Sequence, residues 1–244
     1  TSDAARDEEV AYLDHAATTP MRPEAVEAML PFLTQRYANP SGAHLLARDA
    51  RRAIDEARDV VAEVLGVEPG EVVFTGGGTE ADNMAVLGAH DLRGGVVVAS
   101  AIEHHAVLDP AQSRGGRIVG VDASGVIDLD GLAAALDPDV SIVSVMAVNN
   151  EVGTIQPLAE VAALVRDRAP GALLHTDAIQ ALCWTDLASV ASVADLVSVS
   201  AHKFGGPKGV GALVIRGDAR IAPRVLGGGQ ERERRSGTQN VEIG

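Results

Sequence analysis

The chain is short of four things, and each shortage removes a class of explanation. One cysteine, Cys183, among 244 residues allows neither an internal disulfide framework nor a cysteine-rich metal site. Apolar runs such as Val96-Val97-Val98-Ala99 are far too short to span a bilayer. Net positive charge is absent: the formal charge is −14, and a nucleic-acid backbone or anionic membrane would repel such a surface. Lysine is the fourth shortage. Of the 20 basic Lys and Arg residues only Lys203 and Lys208 are lysine, and both lie in the Gly-rich stretch Ala201-His-Lys-Phe-Gly-Gly-Pro-Lys-Gly-Val-Gly211. Arginine cannot form a Schiff base, whereas a lysine of tuned pKa can. The pattern is either a compositional bias or the retention of an amine where chemistry requires one.

What is present is the balance of a soluble globular protein, 46% hydrophobic and 22% charged. Thr1 to Glu9 is polar and acidic, unlike a signal peptide, so a cytoplasmic setting is the expectation. From about residue 70 onward, short all-apolar segments alternate with helical patterns. Strands are expected at 72–74, 96–99, 117–121, 141–147, 172–176, 196–200 and 211–215. Helices are expected from Thr79, at 106–112, at 129–136 and at 158–168. This order predicts an α/β fold, a mostly parallel central sheet with helices on both faces. Ahead of it, Pro23 to Tyr37 reads as a helix interrupted at Pro31. A long helix capped by Ser41 and closed by Gly66 follows, with Leu45, Ala50, Ala53, Ile54, Ala57, Val61 and Val64 as its apolar stripe.

Four groups of residues fall at the carboxyl ends of expected strands, where ligands bind in open α/β sheets. Thr75-Gly76-Gly77-Gly78-Thr79-Glu80 suits a phosphate cradle at a helix N-terminus, or is a plain strand-to-helix turn. Asp177, in His175-Thr-Asp-Ala-Ile-Gln180, follows an apolar strand and needs hydrogen bonds or a cation, a part that a protonated pyridine nitrogen would serve, unless it caps the next helix. Ser198-Val-Ser-Ala-His-Lys203 offers the amine, with Ser200 and His202 as phosphate ligands, or else a solvated loop lysine. Glu103-His104-His105 presents two imidazoles, too few to specify a metal site, and better suited to stacking or moving protons.

Together these residues resemble cysteine desulfurases of the NifS/IscS type, within the class V aminotransferases. The matching segments begin with Tyr12-Leu-Asp-His-Ala-Ala-Thr-Thr-Pro20, Asn39-Pro-Ser41 and Phe74-Thr-Gly-Gly-Gly-Thr-Glu-Ala-Asp-Asn83. They continue through Glu103-His104, Val148-Asn-Asn-Glu-Val-Gly153, His175 to Gln180 and Ser200-Ala-His-Lys203. Gly205-Gly-Pro-Lys-Gly209 and Arg235-Ser-Gly-Thr238 complete the set.

The resemblance implies a pyridoxal 5'-phosphate-dependent enzyme of the type I fold that turns L-cysteine into L-alanine and passes the sulfur on as a persulfide. The sulfur would serve iron–sulfur cluster or thio-cofactor synthesis through an acceptor protein. It implies Lys203 as the lysine that holds the cofactor and removes the Cα proton, and His104 as the ring-stacking, proton-handling imidazole. Asp177 is implied at the pyridine nitrogen, Gln180 at the phenolic oxygen, and Gly78, Thr79, Ser200 and His202 at the phosphate. Asn150 is implied at the substrate carboxylate. Thr238 would reach the neighbouring subunit's phosphate in a homodimer, and no metal is implied. Residues 1–20 would belong to the small domain at the active-site edge, and 21–244 to the large cofactor-binding domain. The small C-terminal domain, with the family's loop cysteine and carboxylate-clamping arginine, is expected to be missing. Cys183 is expected to be a small buried apolar residue rather than the nucleophile. A class V lyase or aminotransferase, and a non-catalytic scaffold, are the alternatives.

Overall fold

The computed structural model describes residues 11–242; the expectation for Thr1 to Glu9 lies outside them. Seven strands form one sheet: β1 (Val72–Thr75), β2 (Val96–Ser100), β3 (Arg117–Val119), β4 (Val140–Ser144), β5 (Leu173–Asp177), β6 (Leu196–Ser200) and β7 (Gly211–Ile215). Their spatial order is β1-β7-β6-β5-β4-β2-β3. All neighbouring pairs are parallel except those of β7, which runs antiparallel to both β6 and β1. Among the described residues seven α-helices accompany the sheet: α1 (Pro23–Thr34), α2 (Leu45–Leu65), α3 (Gly78–Arg93), α4 (His105–Ser113), α5 (Leu129–Ala135), α6 (Leu158–Arg168) and α7 (Leu187–Val193).

The sequence reads as continuous apolar strands because both faces are covered. Side chains alternate between faces along a strand, so Leu173, His175 and Asp177 of β5 share one face and Leu174 and Thr176 the other. Met84 and Ala85 of α3 and Val107 of α4 pack with Leu173 and Leu196 on the first. Leu65, Leu132, Val161 and Leu187 of α2, α5, α6 and α7 pack with Leu174 and Val197 on the second. No described helix is long and apolar enough to cross a membrane.

Three local expectations are corrected. Helix α1 is not broken at Pro31: it continues to Thr34, and Pro31 O still accepts from Gln35 N and Arg36 N, both at 2.8 Å. Proline removes a single amide there, close to where the helix ends anyway. Helix α2 starts at Leu45, capped by His44 Nδ1 accepting from Ala47 N at 3.3 Å rather than by Ser41. Ser41 is taken into a turn in which its own amide donates to Asn39 Oδ1 at 2.9 Å. The buried stripe of α2 is Ala47, Ala50, Ile54, Ala62 and Leu65, while Leu45 and Val64 are exposed. Gly66 ends α2 as expected, with φ 63° and ψ 37°. Helix α7 carried too short a pattern to be foreseen.

After β7 the Gly- and Arg-rich segment is tied back to β1 by one buried carboxylate. Glu231 accepts from Arg58 Nη1 and Nη2, both at 2.8 Å, from Phe74 N at 3.0 Å and from Gln239 Nε2 at 2.5 Å. These bonds hold Glu231, Arg232 and Glu233 at φ 47°, 57° and 66°, a left-handed run that costs non-glycine residues energy. Burial pushes the Glu231 carboxyl up, but Arg58, Gln239 and the Phe74 amide outweigh it and hold it low. Arg58→Ala leaves that carboxylate buried and unpaired, and we expect it to cost about 3 kcal/mol in denaturant unfolding. A depressed folded pKa gives stability above the ordinary Glu value that disappears as pH falls through the folded one. The acid limb of the wild-type stability curve is therefore expected to be steeper than that of the variant. Equal curves would mean the tie contributes nothing.

Candidate active site

A cavity of about 630 Å³ opens where β4, β5 and β6 end and α3 begins. Gly77 turns the chain from β1 into α3 at φ 139°, a conformation side chains rarely allow. Gly78, the first helical residue, is buried; a Cβ there would strike Ile179 Cδ1 and push the end of that side chain aside, so the close packing favours glycine. The first turn of α3 thus presents backbone amides and Thr79 to the cavity. Ser200, next to Gly78, and His202 and Lys203 line the same cavity, set by the end of β6 and the short 3-10 turn Ala201–Lys203.

Asp177 closes β5, and its Oδ1 accepts from Ile179 N at 2.8 Å. It is 4% exposed, and burial raises its pKa, opposed by the Ile179 amide and by the nearby His104 and Lys203 side chains. Lys203 Nζ donates to Ala16 O at 2.5 Å and to Ala17 O at 3.1 Å, partners that leave its charge uncompensated. Burial pulls its pKa down, with Asp177 and Asp14 opposing. Burial also lowers His202, helped by Lys203 and Lys208.

The segment 16–22 forms one rim. Gln180 Nε2 donates to Ala16 O at 2.7 Å, Thr19 Oγ1 to His202 O at 2.9 Å, and Arg22 N to Gly205 O at 2.8 Å. His104 and Asn150 line another rim; His104 Nδ1 accepts from Ala106 N at 3.0 Å and so caps α4.

Nine of the ten residues singled out from the sequence therefore meet in one cavity. Thr238 does not: it is exposed and outside the lining. The expectation for Cys183 is corrected, because it is exposed rather than buried. After Gln180 the chain leaves the sheet through successive turns, Thr185 Oγ1 bonding back to Ala181 O at 3.0 Å. Ala181 packs inward while Cys183 and Trp184 point out, the latter 74% exposed. Among the described residues no cluster of three or more His, Cys, Asp and Glu is arranged to hold a metal ion. Asp82, Glu103 and Asp14 were not singled out by role, although all three lie within matched segments. Asp82 and Glu103 are buried at 0% and 5% exposure, and Asp82 and Asp14 line the cavity. A charged type at a helical position otherwise apolar was the available signal for Asp82.

The site's donor set fits a phosphorylated pyridine aldehyde. Ser200 Oγ is buried without a partner among the described residues, as a phosphate ligand would be, and Asp177 is a buried carboxylate suited to a ring N–H. Lys203 supplies a partly desolvated amine between them.

The profile of the family described as aminotransferase class-V matches residues 11–242. The "Cysteine desulfurase IscS" of Dictyoglomus turgidum is 44% identical over 238 residues, covering 94% of this chain and 60% of that protein. The "IscS-like cysteine desulfurase" of Mycobacterium tuberculosis is 46% identical over 246 residues, covering 95% and 62%. A solved structure described as a NifS-like protein superposes with a TM-score of 0.91 at 39% identity, covering 96% of this chain and 66% of that one. Another, "SspA in complex with cysteine", gives 0.90 at 36% identity, covering 96% and 70%. The chain thus spans about 60% of the length of the curated relatives it matches.

Proposed function

The chain belongs to the aminotransferase class-V family, and on that premise we propose that it is the cofactor-binding portion of a pyridoxal-phosphate-dependent cysteine desulfurase. The observation that carries this reading is the meeting of Lys203, Asp177, His104, Gln180 and the α3 N-terminus around one cavity. The relatives named as cysteine desulfurases, and the neighbour whose structure holds cysteine, support L-cysteine as substrate.

When bound, pyridoxal phosphate supplies the electron sink that stores charge from bonds broken at the substrate. Gly78 N, Thr79, Ser200 and His202 would hold its phosphate, Asp177 its ring nitrogen and Gln180 its phenolic oxygen. Lys203 Nζ, freed from Ala16 O and Ala17 O, would move the Cα proton of cysteine, its lowered pKa making the free amine available nearer neutrality. His104 would stack on the ring and handle protons at the substrate thiol, and Asn150 would orient the carboxylate. A thiolate attacking the substrate sulfur breaks the carbon–sulfur bond; the sulfur leaves as a persulfide and the carbon skeleton, once protonated, as alanine. Cys183 is outside the cavity lining and is not assigned that role.

The same proposal makes residues 21–244 the large domain and 1–20 an edge of the site. It places the protein in the cytoplasm as a homodimer, with Thr238 completing the partner's phosphate site, and passes sulfur to an acceptor protein for iron–sulfur cluster or thio-cofactor assembly. The full-length protein given pyridoxal phosphate, L-cysteine and a thiol reductant is expected to release alanine and sulfide in equal amounts. Cys183→Ala is expected to leave that rate unchanged. Pyruvate and ammonia in place of alanine would turn the reading to a lyase, and a rate abolished in Cys183→Ala would make that residue the nucleophile.

A further inference from the structure

Behind the cavity floor lies a row of buried polar side chains that the proposed chemistry does not use. The α3-facing side of the sheet is apolar at Ile142, Leu173 and Leu196. Two residues further along the same strands, alternation places Ser144, His175 and Ser198 on that face. All three are 0% exposed. Ser144 Oγ lies 2.8 Å from His175 Nδ1, and His175 Nε2 lies 3.0 Å from Ser198 Oγ. A carboxyl group sits at each end of this Ser–His–Ser row. Asp82 of α3 comes within 3.6 Å of His175 Nε2 and next to Ser198. Glu103, which precedes His104, lies next to Ser144, and its Oε1 accepts from Met146 N at 2.7 Å. Among the described residues, both oxygens of Asp82, and Oε2 of Glu103, make no well-formed hydrogen bond.

Asp82, Glu103 and Asp177 therefore share one desolvated region, and three anions there would repel one another. The donors decide which one keeps its charge. Asp177 has the Ile179 amide and the nearby His104 and Lys203. Asp82 has no cation: His175 beside it is neutral, burial having pulled it down to about 3. Burial, with Asp177 adding its repulsion, pushes Asp82 and Glu103 well above the usual carboxylate range. A protonated carboxyl turns an orphaned acceptor into a donor, which is what Ser198 and Ser144 can receive.

We propose that Asp82 and Glu103 are positioning residues, both carried as neutral carboxylic acids, that close the two ends of one buried chain, Asp82–Ser198–His175–Ser144–Glu103. Asp177 is thereby left as the sole anion at the cavity floor. The consequence for function rests on the cofactor reading above: a single negative charge meets the ring nitrogen, and a fixed imidazole supports the strand that carries it.

The test compares full-length wild type, Asp82→Asn and Glu103→Gln. In the cofactor-free protein, denaturant unfolding is followed from pH 5 to 7. An acid whose folded pKa is raised binds more protons folded than unfolded, so its stability contribution falls as pH rises from the unfolded value to the folded one. Each neutral acid makes the wild-type unfolding constant climb by roughly tenfold per pH unit. Each amide variant is expected to lose one such tenfold step, and the loss in Glu103→Gln keeps the test decisive if Asp82→Asn does not fold. Variants with the wild-type slope would show the acids ionised and overturn the proposal. In the loaded protein, the pH midpoint of the cofactor's visible band is expected to coincide in wild type and Asp82→Asn. A midpoint lowered in Asp82→Asn would mean that an anion had been removed, and would also overturn it. Loss of one tenfold step with no cofactor band in any protein would sink the functional reading and leave the neutral acids supported.

Discussion

Lys203→Ala, purified with pyridoxal phosphate, is expected to lack the visible band of the lysine-held cofactor and to form alanine at least about 10²–10⁴-fold more slowly than wild type. That range counts only the lost proton-transferring amine; the covalent anchor goes with it. Within this sequence no other lysine can take over. Lys208 is exposed, outside the cavity lining, and is the one other lysine in the sequence. Lys203→Arg is expected to fail as completely, because a guanidinium stays protonated and is not a nucleophile. The fold should be indifferent to either change, since Nζ bonds only to the carbonyls of Ala16 and Ala17 on the rim. A band retained in Lys203→Ala would remove Lys203 from the chemistry.

Asp177→Asn is expected to separate catalysis from stability. The side chain keeps an oxygen for the Ile179 amide, so the end of β5 keeps its shape, but the charge beneath the ring is gone. Loss of one preorganised electrostatic group of this kind costs about 10²–10³ in rate. The cofactor-free variant should nonetheless be as stable as wild type or more so near neutral pH. Burial raises the Asp177 pKa, so the wild type loses stability as pH climbs from the unfolded carboxylate value to the folded one. The neutral amide has no such loss. Rate assays beside unfolding curves at pH 5 and 8 check both halves. A variant that kept its rate, or was destabilised at pH 8, would show that Asp177 is structural. The contrast with Asp82 is direct: both are buried aspartates lining the same cavity, and only the one with a backbone amide and the Lys203 amine nearby is expected to work as an anion.

Much of this architecture was legible in the residues alone. Short charge-free runs rich in Val, Ile and Leu, such as Val140 to Ser144 and Leu196 to Ser200, needed cover on both faces, and helices of the right length stood between them. The antiparallel direction of β7 was not legible, because apolar residues such as Ala212 and Val214 look the same in either direction. Helix α2 shows the same boundary at finer scale. Its end was read correctly from Gly66, whose backbone conformation depends on one residue. Its start was misread, because Ser41 and His44 can both cap and the choice fell to the turn made by Asn39. Cys183 was misjudged because burial is set by where the chain turns after Ala181, not by the residue's own affinity for the interior.

For the site, residue type was sufficient where chemistry permits few substitutes: an amine at Lys203, a carboxylate at Asp177, a glycine where a Cβ would strike Ile179. Those positions lie at or just beyond the carboxyl ends of β1, β5 and β6, the end at which ligands bind in open α/β sheets. Asp82, Glu103 and His175 are different. Their roles depend on which strands lie side by side and on how dry the space between them is, and neither quantity is local. The sequence alone determined which functional groups are available and where each sits along its element. The tertiary structure decided which of them share a desolvated volume, and there charge repulsion and hydrogen-bond supply select the group that keeps its charge.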